Sequence, residues 1–212
     1  MNPMILLQLK QRLDASADKC KKDNTMVLFL NCCVRKDSRT KKLADAVLDK
    51  MTGEIEEIKV FEIDYPVVNE EFLRKRDSLI ANAKWDDPIF YLARQFSKAD
   101  SIVIAAPYWD LSFPAALKQY FEQINVLGIT FEYSAEGTPI PLCAAKELIY
   151  ITTAGGAFVP EEYGFGYVKA LAQGFYGIKN VRQIKAIGLD IYGADADQII
   201  EDMVLHRSPS SS

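Results

Sequence analysis

Met26-Val27-Leu28-Phe29-Leu30-Asn31, followed by Cys32-Cys33-Val34-Arg35-Lys36-Asp37-Ser38-Arg39-Thr40, decides the fold. The first part is a short apolar run, bounded on one side by Lys21-Lys22-Asp23-Asn24-Thr25 and on the other by a polar loop. A brief run that is apolar at both alternating positions is what a parallel strand covered on both faces requires. Beyond the loop, Leu43, Ala46, Val47 and Met51 recur at helical spacing. The stretch reads strand, loop, helix.

The same unit repeats outward. Ile55 to Ile63 alternates imperfectly as a second strand. Ser101-Ile102-Val103-Ile104-Ala105-Ala106 and Leu148-Ile149-Tyr150-Ile151-Thr152 are further buried runs, stopped by Pro107 and by Gly155-Gly156, and Val181 to Ile187 supplies a fifth strand. Helical faces lie over Ile89 to Phe96, over Leu117, Tyr120, Phe121 and Ile124, over Gly166 to Tyr176 and over Ala194 to Leu205. Asp64 to Asp87, punctuated by Pro66 and Pro88, reads as a loop with some helix, and Thr130 to Pro141 as a small hairpin. Strands alternating with helices imply right-handed crossovers and a parallel sheet between two helical layers, an α/β three-layer sandwich. Five strands in one open sheet fit the flavodoxin-like order 2-1-3-4-5, in which ligands bind beyond the carboxyl ends of the strands, between the first and third.

Three loops fall at that place. In the first, Ser38 can cap the helix while the backbone N–H groups after it stay free. The helix dipole favours an anion there, the hydroxyls of Ser38 and Thr40 add donors, and Arg39 adds a forked cation suited to phosphate oxygens. Arg35, Lys36, Arg39, Lys41 and Lys42 stand against one acid, Asp37, in an otherwise acidic chain. The plain alternative is a capped helix with a solvated basic first turn, but cations at a helix N-terminus oppose the dipole, which favours a bound anion. Neither GxGxxG nor GxxxxGK(S/T) is present, which disfavours a dinucleotide fingerprint or a P-loop. The second loop, Pro107-Tyr108-Trp109-Asp110-Leu111-Ser112-Phe113-Pro114, is stiffened by its prolines. Its aromatics can flank a flat ring or pack beneath the loop. The third, Thr152-Thr153-Ala154-Gly155-Gly156-Ala157-Phe158, carries paired glycines that permit close backbone approach or a tight turn.

Read in order, Ala105-Ala106-Pro107-Tyr108-Trp109-Asp110, then Pro114-Ala115-Ala116-Leu117-Lys118-Gln119-Tyr120-Phe121, Gly128-Ile129-Thr130-Phe131-Glu132-Tyr133 and Thr152-Thr153-Ala154-Gly155-Gly156 form a combined pattern. It resembles that of the FMN-dependent NADH:quinone reductases and azoreductases of the flavodoxin-like superfamily, over about Met26 to Asp202. The resemblance implies a homodimer with one FMN per subunit and active sites at the interface. By position, Ser38, Arg39 and Thr40 would hold the flavin phosphate, with Asn31 nearby. Pro107, Tyr108, Trp109 and Asp110 would line one edge of the isoalloxazine, and Thr153, Ala154, Gly155 and Gly156 another. Phe131, Tyr133 and Phe158 would shape the pocket for nicotinamide and acceptor.

The implied reaction takes two electrons from NADH or NADPH to a quinone or azo compound by a ping-pong mechanism. The flavin N5 carries the chemistry and no side chain is catalytic; FAD would fit the same phosphate loop. The chain departs from the family pattern at Asp110, commonly Asn; at Ala154, often basic or polar; and at Phe158, often histidine. A carboxylate at Asp110, beside the flavin, would alter the flavin's potential. A flavodoxin-type carrier that passes electrons to a protein partner is the rival expectation.

Composition narrows the rest. The chain has 212 residues, 49% hydrophobic and 25% charged, which suits one soluble α/β domain. A formal net charge of -4 argues against broad phosphate neutralisation, so no nucleic-acid partner is expected. No apolar run reaches the ~18 residues that span a bilayer, and the start lacks the pattern of a signal peptide. The cysteines, Cys20, Cys32, Cys33 and Cys143, show no CxxC spacing, and His206 is the only histidine, so no metal site is expected. Adjacent Cys32 and Cys33 read as small residues on opposite faces of a strand end. A reducing, cytoplasmic setting follows. The expected layout is an amphipathic helical extension at 1–25, with apolar Ile5, Leu6, Leu9, Leu13 and Ala17, a flavin-binding domain at 26–207 and a disordered tail at 208–212.

Overall fold

The computed structural model describes residues 25–206, so the amphipathic extension, apart from Thr25, and the 208–212 tail lie outside the described residues. The first half runs β1 (Met26–Asn31), α1 (Arg39–Leu48), β2 (Glu54–Lys59), α2 (Glu70–Ala81), α3 (Tyr91–Lys98) and β3 (Ser101–Ala105). The second runs α4 (Ala115–Ile124), β4 (Phe131–Tyr133), β5 (Pro139–Pro141), β6 (Glu147–Thr153), α5 (Phe165–Gly174), β7 (Asn180–Ala186) and α6 (Ala196–His206).

Five strands form one sheet in the order β2-β1-β3-β6-β7, every neighbouring pair parallel. Counted among the sheet's own strands, that is the expected 2-1-3-4-5. Alternation along each strand divides the core in two. Leu28, Leu30, Ile102, Ile104, Leu148 and Tyr150 face one side and pack with residues of α3, α4 and α5, among them Phe96, Leu117, Tyr120 and Val168. Val27, Phe29, Val103, Ile149 and Ile151 face the other, against Leu43, Ala44 and Leu48 of α1 and Ile200 of α6. Side chains of this size each contribute about 1.5–3 kcal/mol when fully buried. The alternation continues past β1: Cys32 joins the first core and Cys33 packs against the second, on opposite faces as expected.

Two elements differ from the sequence reading. The second strand ends at Lys59, where its register with Asn31 of β1 runs out, and Val60–Glu62 turns as a short 3-10 helix that buries Val60. Within the stretch read as loop with some helix, Glu70–Ala81 is a regular helix of 12 residues. Asn69 caps it by accepting from the Phe72 N–H at 2.9 Å, and Glu70 and Glu71 complement the dipole, yet no residue of it is buried. Only Leu79 and Ile80, near its end, pack against the core, both partly exposed, and the charged run Arg74 to Asp77 breaks the apolar period before them.

The expected hairpin is present as β4 and β5, paired antiparallel. It sits at the amino ends of the sheet strands, because α4 has by then run back from the carboxyl end of β3. Thr130, fully buried, fixes it there by donating to the Ile124 carbonyl at 2.7 Å. The loops after β1, β3, β6 and β7 gather at the opposite, carboxyl edge.

Candidate functional site

At the carboxyl edge, between β1 and β3, lies a cleft of about 290 Å³ lined by parts of four loops. Its floor begins with Ser38, whose extended backbone (φ −61, ψ 120) makes it the cap of α1; its Oγ accepts from the Lys41 N–H at 3.3 Å. The N–H groups of Arg39 and Thr40, which open the helix, have no hydrogen-bond partner among the described residues. They are the orphan donors every helix start leaves, and here they border a cleft. The Thr40 hydroxyl lies 2.7 Å from that of Thr153, so α1 is tied to the end of β6.

The basic cluster around this turn divides. Arg35 and Arg39 line the cleft. Lys41, half-buried over the Phe29 ring, pairs with Asp45 at 2.5 Å, and the exposed Lys42 pairs with Asp197 at 3.6 Å; neither lines the cleft. Arg39 Nη2 donates to Asp190 Oδ1 at 2.7 Å and Nη1 to the Leu189 carbonyl at 3.3 Å.

The loop after β3 is held to β6 by the Tyr108 N–H, which donates to the Thr153 carbonyl at 3.1 Å. Trp109 and Ser112 then exchange backbone hydrogen bonds at 3.0 and 2.8 Å around Asp110 (φ 49) and Leu111 (φ 69), a tight turn of the I′ type. Two non-glycine residues at positive φ are strained, and they hold Trp109 on the rim, its ring centroid 6.1 Å from that of Phe61. Pro107, Tyr108 and Trp109 all line the cleft, while the Tyr108 hydroxyl is buried and has no partner among the described residues.

The third loop lies against the loop that follows β7. Gly188, Leu189 and Asp190 donate from their N–H groups to the carbonyls of Gly156, Ala154 and Gly155 at 2.9, 3.2 and 2.9 Å. The Asp190 side chain therefore lies over Gly155, where a Cβ on residue 155 would overlap its carboxylate. Thr153, Ala154 and Gly155 line the cleft, and the Gly155 N–H is free of partners among the described residues.

Of the residues singled out from the sequence, Ser38, Arg39, Thr40, Pro107, Tyr108, Trp109, Thr153, Ala154 and Gly155 come together in one cleft. Asn31 does not join them. Its Nδ2 donates to Glu57 Oε1 at 2.8 Å and its Oδ1 accepts from the Cys33 N–H at 2.9 Å, so it shapes the end of β1. Asp110 and Gly156 are exposed beside the cleft without lining it, and Phe158 is 77% exposed on its loop. Phe131 and Tyr133 belong to β4, at the opposite edge of the sheet, where Phe131 packs on Phe175 with ring centroids 4.7 Å apart. These two do not face the cleft of their own chain. Conversely, Leu189 and Asp190 line the cleft and were not foreseen. The signal was available: Gly188-Leu189-Asp190 follows a strand at its carboxyl end, the same rule that selected the other loops.

The cleft residues fit a flat cofactor ending in a phosphate. Backbone N–H groups of Arg39 and Thr40, the Ser38 hydroxyl and the Arg39 cation converge at one end, and a glycine-backed wall faces an aromatic one. Burial pushes the Cys33 thiol, packed against the second core just before the cleft's first loop, above its ordinary pKa, so it is no ready nucleophile. Among the described residues, no group of three or more His, Cys, Asp or Glu could hold a metal ion, and no helix is long and apolar enough to cross a membrane. A larger groove of about 950 Å³ lies between β2, α2 and α3, with Ile58, Ile63, Phe72 and Leu92 among its walls, but none of the residues singled out from the sequence lines it.

A profile of the flavodoxin-like fold matches residues 25–206. The chain is 34% identical over 185 residues to the FMN-dependent NADH:quinone oxidoreductase of Clostridium perfringens, covering 83% of this chain and 92% of that protein. Its counterpart in Lachnoclostridium phytofermentans is 35% identical with the same coverage. Among solved structures, an azoreductase from Bacillus anthracis superposes with a TM-score of 0.74 at 24% identity, over 86% of this chain and 96% of that one. This last likeness speaks for the fold. The chain belongs to the flavodoxin-like fold family, and within it to the family whose curated members are named FMN-dependent NADH:quinone oxidoreductases.

Proposed function

We propose that the cleft holds FMN and that the chain is a flavin-dependent oxidoreductase, reducing quinones or azo compounds at the expense of NADH. The observation that carries this reading is the pair of unpartnered N–H donors of Arg39 and Thr40, opening a helix into a cleft walled by Trp109 and Gly155. Bound FMN would supply the two-electron chemistry at its N5. The chain's own residues do the rest. Ser38, Arg39 and Thr40 hold the phosphate by helix-start donors and charge. The Thr40–Thr153 contact fixes the spacing between that anchor and the wall at Thr153 to Gly155. The strained turn at Asp110 and Leu111 keeps Trp109 over the opening, where it excludes water.

The same opening serves donor and acceptor in turn, which is the structural form of a ping-pong reaction. A homodimer completes the site. The cleft is at the small end of the ~300–1,000 Å³ usual for cofactor pockets, and its surroundings are apolar: Val34, Phe61, Trp109, Leu111, Phe158 and Tyr163 are all at least 40% exposed. A helix with no buried residue, α2, is likewise left for a second copy to cover. Phe131 and Tyr133, remote from their own cleft, shape a pocket only where a second copy presents them.

The test is steady-state kinetics of the FMN-loaded protein with NADH and a benzoquinone, each varied at fixed levels of the other. Parallel double-reciprocal lines are expected. Intersecting lines contradict the alternating use of one opening, and the absence of quinone-dependent NADH oxidation contradicts the reaction.

A further inference from the structure

The geometry points to Asp190 as a built-in competitor for Arg39, a carboxylate that lowers the affinity of the cleft for the cofactor's phosphate and so makes the cofactor exchangeable. This rests on the FMN reading of the cleft.

Asp190 Oδ1 lies 2.7 Å from Arg39 Nη2, and both residues line the cleft. The Asp190 side chain is 65% exposed and that of Arg39 36% exposed. Ion pairs so open to water add little to stability, so the fold does not need this one. Its position is specific all the same. The backbone of Asp190 is fixed by its N–H to the Gly155 carbonyl at 2.9 Å, and the absence of a side chain at Gly155 leaves the space its carboxylate fills. The carboxylate is thereby aimed across the cleft at the guanidinium.

Two consequences follow for an arriving phosphate. While Arg39 is paired with Asp190, its charge towards the cleft is largely cancelled. Once a phosphate takes Arg39, an unpaired carboxylate is left facing a dianion. Both effects act against binding, and both depend on the phosphate rather than on the isoalloxazine. Asp37, the other acid lining the cleft, makes no ion pair with Arg39 and has no such hold on it.

The substitution D190N keeps the shape over Gly155 and an acceptor for Arg39 but removes the charge. Dissociation constants for FMN and for riboflavin, which lacks the phosphate, are measured by fluorescence titration for wild type, D190N, R39A and the R39A/D190N double variant. D190N is expected to bind FMN about three- to tenfold more tightly, with the gain shrinking at high salt. Riboflavin affinity stays unchanged, and the gain disappears in the R39A background. Tighter riboflavin, an unchanged or weaker FMN complex, or a gain that survives in full without Arg39 overturns the inference while leaving the FMN reading standing. Wild-type protein that binds neither flavin overturns both.

Discussion

The hydroxyls of Thr40 and Thr153 lie 2.7 Å apart, joining the first turn of α1 to the last residue of β6 across 113 positions of sequence. Thr40 is buried, 1% exposed, so its hydroxyl is left unsatisfied in the interior when Thr153 is replaced, whereas the half-buried Thr153 hydroxyl can turn to water in the cleft. Thr153→Val, which strands the buried Thr40 hydroxyl, should destabilise the protein by about 1–3 kcal/mol, Thr40→Val by less, and the double variant by clearly less than the sum. Urea denaturation of the three variants measures this. Additive losses would show that the two hydroxyls act independently.

Removing the Arg39 cation while leaving the backbone donors of α1 in place separates charge from helix start. Arg39→Ala should weaken FMN binding by about tenfold, the value of one charge-assisted hydrogen bond, with the unfolding midpoint nearly unchanged. Unchanged FMN affinity would assign the phosphate to the backbone alone.

The resemblance implies Asn at the position of Asp110, and a carboxylate close to a flavin would depress its potential. The structure turns Asp110 out onto the rim. At water-like screening a charge is worth ~1 kcal/mol or less, so Asp110→Asn should raise the two-electron potential by no more than about 20 mV. Redox titration against a reference dye measures it. A much larger rise would bring the carboxylate into contact with the ring.

Alkaline pH should destabilise the fold through its buried thiols and phenols. Burial pushes Cys143 up to about 12, and it raises Cys32, Tyr120, Tyr150 and Tyr176 as well. The unfolded chain then releases protons first, from pH ~9 upward, while the folded chain holds them. Their contribution is present in full below pH ~9 and is lost as pH rises towards the folded values, by about 1.4 kcal/mol at pH 10 for Cys143 alone. Urea midpoints under reducing conditions should be insensitive to these groups between pH 7 and 8 and fall at pH 10. A midpoint that holds at pH 10 would contradict their burial.

The strands were legible because burial on both faces writes itself as an unbroken apolar run, as in Met26 to Leu30. Helix α2 was not, because no residue of it is fully buried: only Leu79 and Ile80 near its end pack on the core, and the charged run Arg74 to Asp77 obscures the period. The cleft was legible as far as strand ends and turn chemistry reach, which is why Ser38, Tyr108 and Gly155 were found. Asp190 escaped because its partner is 151 residues away and the pairing is made by the loop after β7. Phe131 and Tyr133 were placed by resemblance alone, and resemblance does not say which chain's cleft a residue serves.

FMN held in this cleft should be reduced by NADH. Mixing the FMN-reconstituted protein anaerobically with stoichiometric NADH, and following the visible flavin band, measures this. Complete two-electron bleaching is the predicted result. A band that persists with NADH in excess, on protein shown to hold FMN, would rule out NADH as the donor to this cleft.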